Sequence, residues 1–121
     1  MSKTVLIVED YADTRSMMKF LLQSFGFEVF EAADGLEAVM QARRNLPDLI
    51  LMDLSLPNMD GLQATQEIRK INGFGKTPII AVTAYGKSYY RQAIEAGCDD
   101  LINKPLDFDN LKPILEQYLS L

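Results

Sequence analysis

Five short apolar runs alternate along the chain with longer amphipathic stretches. The runs are TVLIV (4–8), EVFEA (28–32), LILM (49–52), PIIAV (78–82) and DLIN (100–103). They are rich in Val, Ile and Leu, and three of them are apolar almost throughout. Runs of this length and composition are typical of strands that are buried on both faces, as in a parallel sheet. The pattern therefore predicts five strands at these positions.

The stretches between the runs carry apolar residues at helical spacing. The stripes are Met17, Met18, Leu21, Leu22 and Phe25; Leu36, Val39 and Met40; Ala64, Ile68 and Ile71; Tyr90, Ala93 and Ile94; and Leu111, Ile114, Leu115, Tyr118 and Leu119. We expect Asp34 to cap the second helix, with Glu37 placed as in a capping box. Gly97 is expected to end the fourth helix. Pro113 predicts that the last helix either begins near Asp109 or bends at the proline.

The strand and helix patterns alternate five times along the sequence. This order predicts an α/β fold of the doubly wound type, with right-handed crossovers and helices on both faces of a parallel sheet. No linker, repeat or low-complexity segment interrupts the alternation, and 121 residues are an ordinary length for one domain. We therefore expect a single domain over residues 1–121, although the pattern alone does not give the order of the strands.

Charge and composition narrow the classes of partner. The net charge of −5 and the pI of about 4.6 argue against nucleic acid or an anionic membrane surface, because both bind basic patches. Histidine is absent, which excludes histidine-based triads, most zinc sites and a role as phosphohistidine donor. The one cysteine, Cys98, lies among small residues and is expected to be a buried apolar residue. Without a signal-peptide pattern or an apolar run approaching about 18 residues, a cytoplasmic location is expected.

Polar side chains occur where the predicted strands end. Glu9 and Asp10 follow the first run, Asp53 the third, Thr83 the fourth and Lys104 the fifth. The carboxyl ends of parallel strands lie along one edge of a sheet, where ligands bind. Carboxylates that converge there repel one another, by about 4 kcal/mol for a like pair ~4 Å apart at an effective dielectric of about 20. A divalent cation would offset this repulsion, and Mg²⁺, which prefers one or two carboxylates plus water, is the natural candidate.

Such a set of residues suits phosphoryl chemistry. A carboxylate can act as a nucleophile and form an aspartyl-phosphate, while a metal ion, a lysine and a hydroxyl hold the oxygens of the transferred group. Taken singly, the residues have simpler interpretations: Asp53 as a helix cap or turn residue, and Thr83 as a strand-end residue with a satisfied hydroxyl. Their joint occurrence at successive strand ends favours the chemical interpretation.

The whole chain resembles the receiver domains of response regulators in two-component signalling. The matching features are the acidic pair in VLIVED, the segment LILMDLSLPNMDG, the triplet VTA at 82–84 and the dipeptide KP at 104–105. They occur in this order and at successive predicted strand ends. The resemblance implies a flavodoxin-like (βα)5 fold with strand order 2-1-3-4-5, and it implies that Asp53 is the phosphoacceptor.

The resemblance also implies roles for the other residues at the strand ends. The implied Mg²⁺ ligands are Glu9, acting largely through water, Asp10, Asp53 and the main-chain carbonyl of Ser55. Thr83 and Lys104 would contact the phosphoryl group, and the Lys104–Pro105 bond would be cis. The implied partners are a sensor histidine kinase or histidine phosphotransfer protein, which supplies the phosphoryl group, and a downstream target protein. The chain would then be a single-domain response regulator and not a turnover enzyme.

One position departs from the family pattern. Receiver domains usually carry Tyr or Phe three residues before the lysine, and that ring switches position on activation; here the residue is Leu101. Because the chain ends at the close of the fifth helix, we expect its output to be protein–protein contact, from a monomer or weak dimer. The predicted docking face consists of Leu101, Leu106, Tyr85, Tyr89 and Tyr90. One alternative is that Leu101 is simply a strand residue and the output is read elsewhere. Another is that two of the three tyrosines pack internally and only one is exposed.

Three other functions are compatible with parts of the pattern. A phosphorelay intermediate would pass the phosphoryl group on to a histidine phosphotransfer protein. A phosphatase of the haloacid dehalogenase type also uses a strand-end Asp, but it usually carries a second Asp two residues later, where this chain has Ser55. A flavodoxin-like cofactor binder would need a glycine- or hydroxyl-rich phosphate loop after the first strand. The acidic segment EDYADTRS stands there instead and would repel an anionic cofactor.

Overall fold

In the computed structural model, which describes residues 3–120, strands and helices alternate strictly along the chain. The strands are β1 (Thr4–Val8), β2 (Glu28–Ala32), β3 (Leu49–Asp53), β4 (Ile79–Thr83) and β5 (Asp100–Asn103). The helices are α1 (Ala12–Ser24), α2 (Gly35–Asn45), α3 (Gly61–Arg69), α4 (Gly86–Ala96) and α5 (Phe108–Leu119). The strands match the five predicted apolar runs to within one residue at each end, because each run stops where the chain leaves the core.

All five strands are parallel, in the order β2-β1-β3-β4-β5. This order confirms the doubly wound α/β fold and the arrangement that the resemblance implied. Every residue of β3 is buried, because β1 and β4 flank it and helices cover both of its faces. Val8 lies opposite Met52, so the residues that follow them, Glu9 and Asp53, emerge side by side. Thr83 ends the next strand along the same edge.

The sheet has one apolar core on each face. Alternate residues of the central strands, such as Leu49 and Leu51, pack with α1 and α5, whereas Ile50 and Met52 pack with α2, α3 and α4. This alternation follows from the twofold side-chain period of a strand. Since both sets need apolar side chains, it explains why the central runs are apolar at every position.

The helices lie where the pattern predicted them, but in two of them most of the large apolar residues of the predicted stripe are exposed. In α2 the residues that face the sheet are Ala38 and Ala42, while Leu36 and Met40 are exposed. In α4 the buried residues are a glycine and two alanines, and Tyr90 is exposed. Small residues allow a helix to lie close against a sheet, so in α2 and α4 the largest apolar side chains do not mark the packed side.

The helix ends follow the predicted signals. Asp34 caps α2 by accepting a hydrogen bond from the Glu37 main-chain nitrogen at 2.8 Å, and Gly97 ends α4 in the left-handed conformation. α5 begins near Asp109, as in the first of the two alternatives, and continues through Pro113. Cys98 is buried, as expected. Within residues 3–120, no helix combines the length and the apolar character that crossing a membrane requires.

Candidate functional site

Asp53 is the last residue of the buried strand β3, and only 2% of its surface is exposed. Its Oδ1 accepts a hydrogen bond from the Ser55 main-chain nitrogen at 3.0 Å, and its Oδ2 accepts one from Lys104 Nζ at 3.1 Å. The start of α3 lies directly against this position, since a Cβ at Gly61 would overlap the main-chain carbonyl of Asp53. The strand, the loop and the helix together fix the direction of the carboxylate.

Lys104 joins two buried carboxylates that follow neighbouring strands. Its Nζ lies 2.9 Å from Glu9 Oε1 as well as 3.1 Å from Asp53 Oδ2. Burial lowers the pKa of Lys104, but the negatively charged carboxylates of Glu9 and Asp53 beside its Nζ outweigh that effect and leave the pKa above its ordinary value. Lys104 is therefore positively charged throughout the neutral pH range. It is the cation that makes two adjacent buried carboxylates tolerable in this structure.

The acidic cluster fits a divalent cation with oxygen ligands. Carboxylate oxygens of Glu9, Asp10 and Asp53 lie within 4.8 Å of one another. Among the residues that the structure describes, Glu9 Oε1 is a buried oxygen without a hydrogen bond; its contact with Lys104 is an ion pair only. Asp10 is exposed, so water can reach the cluster from its side. Several hard oxygens beside open solvent match Mg²⁺, which retains part of its water shell.

Thr83 completes the edge next to Asp53. It is buried, and its hydroxyl accepts a hydrogen bond from the Tyr85 main-chain nitrogen at 3.2 Å. A hydroxyl that accepts one bond keeps its own proton for another acceptor. Ser55 is exposed beside the site, and the ligand role of its carbonyl stays a prediction. The Lys104–Pro105 bond is cis, as the resemblance implied.

Two polar residues near the site were not predicted from the sequence. Arg15, in the first turns of α1, donates from Nη1 to the main-chain oxygen of Glu9 at 2.9 Å, and its Nε pairs with Glu31 at 3.3 Å. Asn103 bonds to the start of α4 through its side chain. The partners of both lie on other elements. The sequence offers no signal for them beyond a basic residue in a first helical turn and an amide at a strand end.

Only part of the predicted docking face lies at the surface. Tyr85 and Tyr90 are exposed, by 65% and 54% of their surfaces, while Tyr89 and Leu101 are partly buried against the α2–α4 side of the core. The alternative in which two tyrosines pack internally is therefore wrong. Leu106 does not belong to this face. It is 4% exposed and packs into the core between α1, α5 and the sheet.

Residues 5–116 match the family model of the response regulator receiver domain, and the chain belongs to this family. Its members act in two-component signalling, as the resemblance implied. Over 99% of its length the chain is 35% identical to the polar-differentiation response regulator DivK of Brucella anthropi, of which the match covers 98%.

Solved structures of receiver domains share the fold. The receiver domain of the sensor histidine kinase PA1611 from Pseudomonas aeruginosa, which has a magnesium ion coordinated in its active-site cleft, is 35% identical with a TM-score of 0.92. That match covers 100% of both chains. The chemotaxis protein CheY4 of Vibrio cholerae is 28% identical with a TM-score of 0.91, over 98% of this chain and 99% of that one.

Proposed function

We propose that this chain accepts a phosphoryl group on Asp53 from the phosphohistidine of a sensor histidine kinase or histidine phosphotransfer protein. The phosphorylated form then binds a target protein differently. The observation that carries the proposal is the shared ion pair of Lys104 with Glu9 and Asp53 at the carboxyl ends of adjacent strands. A buried nucleophile, a neighbouring acidic cluster and a fixed cation meet at one point there.

The transfer assigns a separate task to each side chain. An Asp53 carboxylate oxygen attacks phosphorus in line and the phosphorus–nitrogen bond of the donor breaks. The bonding electrons stay on the imidazole, which takes up a proton from solvent as it leaves. Thr83, which has its hydroxyl proton available, donates to one oxygen of the phosphoryl group. Lys104 turns from the Asp53 carboxylate to the incoming phosphoryl oxygens and neutralises part of their charge. Rigid packing behind β3 keeps the nucleophile aimed throughout.

The metal site follows from the same cluster. Glu9, Asp10, Asp53 and the main-chain carbonyl of Ser55 would hold Mg²⁺, with Glu9 acting largely through water. When bound, the ion supplies positive charge beside the phosphoryl oxygens, which lowers the repulsion between them and the attacking carboxylate. The exposed position of Asp10 leaves room for the waters that Mg²⁺ retains.

The surroundings of the site suit a protein that presents a histidine. Tyr11, Met17 and Phe20 of α1 and its N-terminal flank are exposed apolar residues. A cavity of about 280 Å³ lies between Met17 and the Lys104–Leu106 segment, directly beside the site. An apolar surface of this kind next to a polar centre is typical of protein–protein contact. On the other side of the site, the exposed rings of Tyr85 and Tyr90 remain available to a downstream target.

Labelling by acetyl phosphate with Mg²⁺ tests the proposal. We expect one acid-labile phosphoryl group per chain in the wild type and none in Asp53→Asn, which keeps the shape of the side chain but removes the nucleophile. Asp48→Asn is the matched control, because Asp48 flanks β3 at its other end. Equal labelling of wild type and Asp53→Asn would refute the assignment. Steady release of phosphate would indicate a phosphatase, and rapid loss of the label to a histidine phosphotransfer protein would indicate a relay.

A further inference from the structure

The first turn of α4 is capped by a residue from another element. The first main-chain N–H groups of a helix need acceptors, which an N-cap side chain usually supplies. Tyr85, the N-cap residue of α4, makes no such bond. Instead Asn103, the last residue of β5, accepts the hydrogen bond of the Gly86 main-chain nitrogen through its Oδ1 at 3.0 Å. The start of α4 is thus tied to the end of β5.

The hydrogen bond between Gly86 and Asn103 depends on the absence of a side chain at residue 86. A Cβ at residue 86 would overlap the Oδ1 atom of Asn103, so only glycine leaves the carboxamide room to reach the main-chain nitrogen. Gly86 is buried at the start of α4, whereas Asn103 is exposed at the end of β5. The match therefore serves the connection between β5 and α4.

Asn103 stands beside two residues of the proposed site. It precedes Lys104 in the chain and lies opposite Thr83 in the sheet. The Lys104 main-chain nitrogen bonds to the Thr83 carbonyl at 2.9 Å, and the Thr83 hydroxyl accepts from the Tyr85 nitrogen at 3.2 Å. Two successive N–H groups at the start of α4, those of Tyr85 and Gly86, are therefore held by side chains at the site edge.

A second asparagine holds the same segment from the other side. Asn110, in the first turn of α5, donates from Nδ2 to the carbonyl oxygen of Pro105 at 2.9 Å, and its Oδ1 accepts from the Asp107 nitrogen at 2.9 Å. The segment that carries Lys104 is thus fastened between the starts of α4 and α5. A displacement of the Lys104 main chain would therefore act on both helix starts.

We infer that Asn103 is a positioning residue that couples the phosphoryl group on Asp53 to the first turn of α4. This inference rests on the proposed function. When Lys104 and Thr83 turn towards the phosphoryl group, the end of β5 moves, and the Asn103 side chain passes that movement to Gly86. The turn that moves begins at the exposed Tyr85 and leads into Tyr90. The route does not need an aromatic ring at residue 101.

Amide NMR spectroscopy of three variants tests the coupling, with Mg²⁺ and beryllofluoride as the mimic of the phosphoryl group. Asn103→Ala removes the acceptor, and Gly86→Ala displaces it. Asn72→Ala is the control, because Asn72 is exposed and lies before β4, at the opposite end of the sheet. Without beryllofluoride, solvent exchange of the residue-86 amide should be about threefold to tenfold faster in the first two variants than in wild type and control.

The decisive quantity is the shift of the α4 first-turn amides on addition of beryllofluoride. We expect the shift to fall by about half or more in Asn103→Ala and in Gly86→Ala. It should fall no further in the double variant, because each substitution removes the same contact between Asn103 and Gly86. Acetyl phosphate should still label Asp53 in each variant. Full labelling with an unchanged α4 response in the variants would overturn the inference alone. A wild type that takes no label would overturn the proposed function and this inference with it.

Discussion

At the scale of single residues, the lifetime of a phosphoryl group on Asp53 depends on what can position water for attack on phosphorus. In the family, the path of the attacking water is flanked by two residues: the one two positions after the phosphoacceptor and the one two positions after the threonine. In this chain these residues are Ser55 and Tyr85. Neither carries a carboxylate or an amide, and positioned proton transfer is worth about a hundredfold or more in rate. We therefore expect the wild type to lose its phosphoryl group slowly, so that a partner must reset it.

Ser55→Asn tests this expectation, because an amide at this exposed position can hold a water without adding charge. We expect the half-life of the phosphoryl group to shorten by about tenfold, part of the effect that a general base can have. Ser55→Ala, which removes the hydroxyl, should keep the wild-type half-life. A half-life of Ser55→Asn equal to that of Ser55→Ala would show that access of water, and not its orientation, limits the reaction.

The ring of Tyr85 is a second feature that could affect the hydrolysis of the phosphoryl group. Since 65% of its surface is exposed, most of the residue faces solvent in this structure. We expect Tyr85→Ala to keep its half-life within about twofold of the wild type, because removing an exposed ring leaves the path of water unchanged. A clearly shorter half-life in this variant would mean that the ring moves over the phosphoryl group and shields it.

At the scale of elements, Arg69 at the end of α3 fastens three neighbouring segments. Its guanidinium donates to the carbonyl oxygens of Phe74, Thr77 and Gly97 and to the carboxylate of Asp99. Asp99 in turn accepts a bond from the Ile79 main-chain nitrogen at 2.9 Å, at the start of β4. A lysine cannot replace this planar set of donors.

Arg69→Lys keeps the charge and tests the geometry of those bonds. We expect the free energy of unfolding in urea to fall by about 2–3 kcal/mol, since several partly buried carbonyl oxygens lose their donor. Arg91→Lys is the matched control. Among residues 3–120, the one ion pair of Arg91 is the exposed pair with Glu95 on α4, and such pairs are worth about 0.3–0.5 kcal/mol. Equal losses in the two variants would show that the Arg69 bonds add nothing beyond charge.

Elements and site residues differed in how far the sequence could predict them. The strands and Asp53 were predictable, because a run buried on both faces has a visible composition and its first polar residue marks the edge. Arg69 and Asn103 were not, since their partners lie on other elements and no local pattern encodes such a contact. The packed side of α2 was missed for another reason: it consists of alanines, which a search for large apolar residues overlooks. Leu106 follows a strand end, but the chain turns it into the α1–α5 core.

At the scale of the whole molecule, the acidic cluster should couple stability to Mg²⁺. The chain carries a net charge of −5, and in the folded state Glu9, Asp10 and Asp53 converge at one edge with Lys104 as a nearby cation. Unfolding separates these carboxylates and removes their repulsion. A ligand that binds only the folded state adds stability according to its affinity, about 2.7 kcal/mol at a hundredfold excess over its Kd. Mg²⁺ should therefore raise the melting temperature.

Asp10→Asn separates metal binding from simple relief of charge. Without Mg²⁺ the variant should be more stable than the wild type, by about 1 kcal/mol, because one of three repelling carboxylates at a solvent-exposed edge is gone. With Mg²⁺ the variant should gain much less stability than the wild type, because it has also lost a metal ligand. The variant should therefore have the higher melting temperature without Mg²⁺, and the wild type the higher one with Mg²⁺. KCl at the same ionic strength corrects for screening. Asp13→Asn, in the exposed first turn of α1, should keep the full response to Mg²⁺. If Mg²⁺ stabilises the wild type and Asp10→Asn equally, the cluster is not the metal site.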